Sequence, residues 1–176
     1  MLIKAIFAGF GGQGILSIGL SLAQAAMKEG KNVTYLPSYG AEVRGGTANC
    51  TVAISDEEIA SPVASSPEFV VAMNQPSMVR FQNQLQSGGV LFLNSCLIDA
   101  EVMRSDIEVV RLPANTIAEQ MGNPRSANMV MLGAFTKKSS LIKLDTLFEG
   151  LEETFRRKER LIAINKEALL AGYKLS

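Results

Sequence analysis

An almost unbroken apolar run over residues 2–8 breaks at Gly9 into Gly9-Phe10-Gly11-Gly12-Gln13-Gly14, and a helical pattern begins directly after it. A strand apolar on both faces suits the interior of a parallel sheet. In the helix expected over 14–29, Ser17, Ser21, Gln24 and Lys28 fall on one narrow polar stripe, while Ile15, Ile18, Leu22 and Met27 are among the apolar residues covering the rest. Gly30 is its natural stop, and residues 32–36 read as a second strand. Strand, helix and strand in that order form a βαβ unit. The fold class expected is α/β, a single Rossmann-like domain with a mostly parallel sheet flanked by helices. At 176 residues, 47% of them apolar, the chain fills one core and is short for two, so 1–176 is taken as one domain.

Further along, 47–54 alternates, with Thr47, Asn49 and Thr51 on one face and Ala48, Cys50, Val52 and Ile54 on the other, as in a half-exposed strand. Residues 69–73 and 90–93 are apolar enough for buried strands, and 108–112 is a shorter one. Asn74 is placed to cap a helix carrying Pro76 in its first turn. Residues 115–121 look helical, and Ser126 is placed to cap a helix through Phe135 so short of polar residues that it belongs to the core or to a subunit interface. Two amphipathic helices close the chain, the second expected to end at Gly172.

Seventeen basic and seventeen acidic residues leave no net charge, and no basic block of the kind that tracks a phosphate backbone is present, which argues against a nucleic-acid partner. The opening apolar run is too short for a signal segment and no stretch is long enough to span a membrane, so a cytoplasmic location is expected. There is no histidine, which removes Ser-His-Asp and Cys-His catalysis from this chain, and its two cysteines cannot supply the thiolates of an iron–sulfur cluster. Both Cys50 and Cys96 lie on apolar, strand-like stretches and are expected to be buried, inert thiols.

The glycine segment has the G-x-G-x-x-G spacing between a strand and a helix. Glycines there serve either of two purposes: backbone N–H groups approaching an anion at a helix N-terminus, or a tight turn for strand–helix packing. A dinucleotide site also needs an acidic residue at the end of the second strand, where this chain has Tyr35-Leu36-Pro37-Ser38. Arg44 leaves room for an NADP reading. The segment Ser38-Tyr39-Gly40-Ala41-Glu42-Val43-Arg44-Gly45-Gly46 is the part least explained by packing. In a parallel sheet it belongs beside the first glycine loop, where Arg44 offers a planar fixed cation for a phosphate, a carboxylate or a partner's acidic group. A glycine-pair turn with Glu42 and Arg44 solvated or salt-bridged is the plain alternative.

Together these residues resemble the gamma subunits of 2-oxoacid:ferredoxin oxidoreductases. The likeness rests on Gly9-x-Gly11-Gly12-Gln13-Gly14, on Tyr39-Gly40-x-Glu42-x-Arg44-Gly45-Gly46-Thr47-Ala48-Asn49-Cys50, on the Ser61-Pro62 turn and on Asn128-Met129-Val130-Met131-Leu132-Gly133. The resemblance implies a subunit that holds no cofactor itself and is inactive alone. It implies alpha, beta and ferredoxin-like partner subunits, which carry thiamine diphosphate and iron–sulfur clusters, together with homodimer contacts. The assembly would convert a 2-oxoacid and coenzyme A to acyl-CoA and CO2 while reducing ferredoxin. The wording around Arg44 looks more like the 2-oxoglutarate and branched-chain members than the pyruvate ones. The residues implied for a coenzyme A contact are Gly11, Gly12, Gln13, Gly14, Tyr39, Glu42, Arg44, Gly45 and Gly46, none of them catalytic. A free-standing NADP-dependent reductase and a ligand-free α/β scaffold are the competing readings.

Overall fold

The computed structural model describes residues 1–40 and 46–175. Its elements in chain order are β1 (Leu2–Phe10), α1 (Ile15–Lys28), β2 (Asn32–Tyr39), β3 (Thr47–Ser55), β4 (Phe69–Ala72), α2 (Gln75–Phe81), β5 (Val90–Asn94) and β6 (Glu108–Leu112), then α3 (Ala114–Gln120), a 3-10 turn (Pro124–Ser126), α4 (Ala127–Ser139), α5 (Leu144–Thr154) and α6 (Glu159–Leu175). The six strands form one sheet in the order β2-β3-β1-β4-β5-β6. Neighbours from β1 to β6 on that side pair in parallel, whereas β3 runs antiparallel to both β1 and β2.

The expected βαβ unit is therefore split: β1 and β2 point the same way, but β3 lies between them. Chain length explains this. Only residues 40–46 separate β2 from β3, too few for a crossover, so the chain returns as an antiparallel neighbour. It fills the gap that the α1 crossover leaves beside β1. Half-exposure of β3 is limited to its first residues, because from Val52 onward it is buried on both faces.

One side of the sheet is covered by α1, α3, α4, α5 and α6, the other mainly by α2 and loops. Helix α4 is the centre of the thicker layer. Residues 127–136 are all buried, and the Phe135 ring packs edge-on against Phe7 and Phe69, each at 5.3 Å between centroids. Its outer side meets α6 at Gly133 and Gly172, where a Cβ on either glycine would fall inside the backbone of the facing helix, at Leu169 and Val130 respectively. Gly172 is thus a contact point rather than a helix stop, and α6 runs on to Leu175. The apolar face of α4, expected in the core or at a subunit interface, is packed within the chain.

Asn74 caps α2 as its position predicts, its Oδ1 accepting from the Ser77 N–H at 2.9 Å. Ser126 behaves differently. It precedes α4, but its fully buried hydroxyl donates to Asn165 Oδ1 at 2.9 Å and accepts from Asn123 Nδ2 at 2.8 Å. The 3-10 turn leads into α4 here, and the serine fastens that turn to α6 rather than closing the helix end.

Candidate functional site

The C-terminal ends of β1 and β4 are neighbours whose crossovers leave in opposite directions, β1 through α1 toward β2 and β4 through α2 toward β5. Ligands of open α/β sheets bind at such a switch point. Here the glycine loop stands over it. Gly12 and Gly14 have φ of 95° and 73°, a region that favours glycine, and a Cβ on Gly9 would strike the side chains of Gln13 and Ile15.

Gln13 holds the loop closed. Its Oε1 accepts from the Phe10 N–H at 2.7 Å and from Asn74 Nδ2 at 3.3 Å, and its Nε2 donates to the Met73 carbonyl at 3.3 Å, bridging the ends of both strands. The Gln13 N–H donates to the Phe10 carbonyl at 3.2 Å and the Gly11 N–H to the Gly46 carbonyl at 2.9 Å. From the helical layer, Asn128 Nδ2 donates to the Gly14 carbonyl at 3.2 Å. Three loop amides are therefore satisfied by protein, and the loop is a braced platform more than an open phosphate cradle.

The Gly11–Gly46 bond brings the two glycine-rich segments of the sequence into contact. Gly11, Gly12, Gly14, Ser17, Tyr39 and Ala48 are among the residues around a cavity of about 380 Å³, and Tyr39 stands at its edge, 69% exposed. Of the residues expected at the site, Gly11, Gly12, Gly14 and Tyr39 thus share one cavity, Gly46 is bonded to Gly11, and Gln13 braces the loop but lines a neighbouring cavity. Glu42, Arg44 and Gly45 lie outside the described residues.

Two further cavities are present, the smaller lined in part by Gly12 and Gln13 of the loop and the larger by Asn128, which bonds the Gly14 carbonyl. One of about 570 Å³ is lined by Ser17, Asn123, Arg125, Asn128, Phe155 and Asn165 among others, and one of about 210 Å³ by Gly12, Gln13, Met73, Asn115 and Arg125 among others. Arg125 lines both. It was not singled out from the sequence, where it is one of seventeen basic residues; only its place between Pro124 and the apolar α4 run sets it apart.

The cysteines differ. Cys50 is buried under α1, its Sγ 3.7 Å from the Ile15 carbonyl, and burial pushes its thiol up to about 12. Tyr35 is likewise raised to about 12, by burial first and then by Cys50 and Tyr39, while its hydroxyl donates to the Leu16 carbonyl at 3.1 Å. Neither is a nucleophile near neutral pH. Cys96, contrary to expectation, is exposed. It falls in the turn after β5, past the end of the apolar run, with its Sγ 3.4 Å from Thr116 Oγ1. Among the described residues no group of three or more His, Cys, Asp or Glu is placed to hold a metal, and no helix is long and apolar enough to cross a membrane.

The family model for pyruvate ferredoxin/flavodoxin oxidoreductase matches residues 4–175. A ketoisovalerate oxidoreductase subunit, VorA, of Methanothermobacter thermautotrophicus is 41% identical over 97% of this chain, and the match covers 35% of that relative. The gamma subunit of a keto/oxoacid ferredoxin oxidoreductase from Geobacter sulfurreducens is similar in structure at a TM-score of 0.83 and 26% identity, over 98% of this chain and 96% of that one. A 2-oxoglutarate:ferredoxin oxidoreductase from Magnetococcus marinus, solved with 2-oxoglutarate, coenzyme A and succinyl-CoA bound, matches at a TM-score of 0.91 and 28% identity, over 99% of this chain and 31% of that one. The chain thus spans about a third of the length of VorA and of the Magnetococcus chain.

Proposed function

We propose that this chain, which belongs to the pyruvate ferredoxin/flavodoxin oxidoreductase family, is the gamma-type subunit of a cytoplasmic 2-oxoacid:ferredoxin oxidoreductase and contributes a coenzyme A contact. The complete assembly joins the 2-oxoacid's acyl group to the coenzyme A thiol, releases CO2 and passes two electrons to ferredoxin. Thiamine diphosphate and iron–sulfur clusters reside on its alpha, beta and ferredoxin-like partners, and this chain supplies binding surface, with a second copy of itself as a further neighbour. The observation that carries the reading is the convergence of the two motif segments, joined by the Gly11–Gly46 hydrogen bond around one cavity. The loop's role there is shape. Gln13 and Asn128 fix the glycines, Tyr39 gives an exposed ring, and Glu42, Arg44 and Gly45 complete the same segment in the sequence.

A branched-chain 2-oxoacid is the first substrate to try, because the 41% identity is to a ketoisovalerate oxidoreductase subunit; 2-oxoglutarate is the second. The free-standing reductase is the weaker reading. It needs open loop amides at the glycine turn, and the amides of Phe10, Gly11 and Gln13 are already bonded inside the protein.

Arg44→Ala in the assembled complex tests the site. Loss of a charge-assisted, bidentate contact to coenzyme A is expected to raise its KM by about 10- to 150-fold with the complex intact, and Arg44→Lys to restore only part. A variant that dissociates instead places Arg44 on a partner subunit. Normal assembly with unchanged coenzyme A kinetics at low and high salt would remove this segment from the site.

A further inference from the structure

Arg125 occupies a position that the motif segments do not explain. It lines both the 570 Å³ and the 210 Å³ cavities, and no Asp or Glu is among the described residues lining either one. The other polar side chains in the two linings are neutral: Ser17, Gln13, and the amides of Asn115, Asn123, Asn128 and Asn165. Met129, Phe155 and Leu161 supply an apolar wall to the larger cavity. One cation facing neutral amides and an apolar wall, without a carboxylate in the lining, suits an elongated ligand with an anionic group at one end.

The turn that carries Arg125 is held in place. Asn123 Nδ2 donates to Ser126 Oγ at 2.8 Å, Ser126 Oγ donates to Asn165 Oδ1 at 2.9 Å, and the Ser126 N–H donates to the Asn123 carbonyl at 2.9 Å. With Ser126 fully buried and Pro124 fixing the residue before Arg125, the backbone under the guanidinium is preorganised while the side chain itself remains exposed. The smaller cavity reaches Gly12, Gln13 and Met73, at the switch point between β1 and β4.

We propose that Arg125 is a second anion contact of the site and binds a phosphoryl group of the coenzyme A cosubstrate, whose flexible chain runs along the larger cavity. The proposal rests on the reading of the chain as an oxidoreductase subunit that contacts coenzyme A, and it adds a residue outside both glycine-rich segments. The guanidinium fork matches a phosphoryl group in two parallel hydrogen bonds, which a lysine at the same place would not reproduce.

The test uses the assembled complex with wild-type chain, Arg125→Ala and Arg125→Lys, and follows the KM for coenzyme A and for pantetheine, which has the thiol but no phosphate. Arg125→Ala is expected to raise the coenzyme A KM by about 10-fold or more with kcat unchanged, Arg125→Lys to recover part of the loss, and pantetheine to show the same KM in all three. An unchanged coenzyme A KM, or an equal rise for both thiols, would overturn the assignment. A second arm needs no turnover. Inorganic pyrophosphate titrated into the isolated chain is expected to shift backbone amide NMR signals of residues 123–128 in the wild type and not in Arg125→Ala. Equal shifts in both chains, or none in either, contradict an anion site at Arg125. A wild-type complex that fails to turn over any 2-oxoacid with coenzyme A, while the pyrophosphate shifts still depend on Arg125, sinks the oxidoreductase reading and the coenzyme A identity but leaves the anion site standing.

Discussion

The glycine loop and the α4–α6 crossing both depend on residues without a Cβ, and the reasons are opposite. In the loop, Gly12 and Gly14 hold a left-handed backbone, and a Cβ on Gly12 would meet nothing within 4 Å. At the crossing, Gly133 and Gly172 are not among the glycines of positive φ, and it is the missing Cβ that lets one helix backbone rest on the other. Conformation alone constrains Gly12, conformation and the Asn128 amide together constrain Gly14, and space alone constrains the crossing. The difference teaches that a glycine at a site and a glycine in a core fail differently: one distorts a loop over an intact sheet, the other drives apart the layer that covers the sheet.

Substitutions at the crossing should therefore have the largest effect. Gly172→Val is expected to cost about 3 kcal/mol in urea unfolding, at the upper end of ordinary overpacking, because the obstruction is backbone and cannot rotate away. Gly172→Ala is the sharper test. In an open helix that change stabilises by roughly 0.5–1 kcal/mol, so a raised Tm for Gly172→Ala would break the close crossing described above.

Next in size come the loop glycines, which should separate by neighbourhood. Gly14→Ala meets both the left-handed backbone and the Asn128 amide, and about 2–3 kcal/mol is expected, whereas Gly12→Ala meets the backbone penalty alone at about 1–2 kcal/mol. Adding Asn128→Ala to Gly14→Ala should return part of the loss, giving a coupling of at least about 0.5 kcal/mol in a double-mutant cycle. Strict additivity would mean that Asn128 does not crowd Gly14.

How much of this was legible in the sequence follows the same division. The loop was readable because a broken strand, four glycines and a new helix are consecutive in the chain, and their spacing has one common structural solution. Its contact with the second glycine-rich segment was also readable, since the ends of sheet strands gather at one edge. Gly172 was misread as a stop signal, because its partner Val130 is 42 residues away and a glycine in a late helix looks the same whether it ends the helix or packs it. The insertion of β3 between β1 and β2 lay outside the βαβ expectation for a related reason: hydrophobic alternation reports which faces are covered and says nothing about which strand lies alongside. Arg125 escaped notice because a surface arginine becomes part of a site only through the cavities around it, and those are made by α3, α4 and α6 together with the loop.

The smallest effect expected is a pH dependence located beneath the loop's own helix. Burial raises the Cys50 thiol from an ordinary value of 9.0 to about 12, so the folded state holds that proton more tightly than the unfolded chain does. Stability from this group is complete below pH 9.0 and is lost as pH rises through about 12. Near pH 10 the loss is about 1 kcal/mol. Cys50→Ala should flatten the fall in the urea midpoint between pH 8 and about 10.5, leaving the smaller slope from Tyr35, which is shifted in the same direction. Identical slopes in the two proteins would show that Cys50 ionises as freely when folded as when unfolded.

The most direct measurement of the central claim is reconstitution. Thiamine-diphosphate and iron–sulfur partner subunits from the same host, assembled with and without this chain, would be assayed for ferredoxin reduction by 3-methyl-2-oxobutanoate and 2-oxoglutarate in the presence of coenzyme A. Coenzyme A-dependent ferredoxin reduction with at least one of the two acids is expected when the chain is present, and little when it is omitted. Equal activity with and without the chain, or a chain that never joins the partner subunits, would contradict that claim.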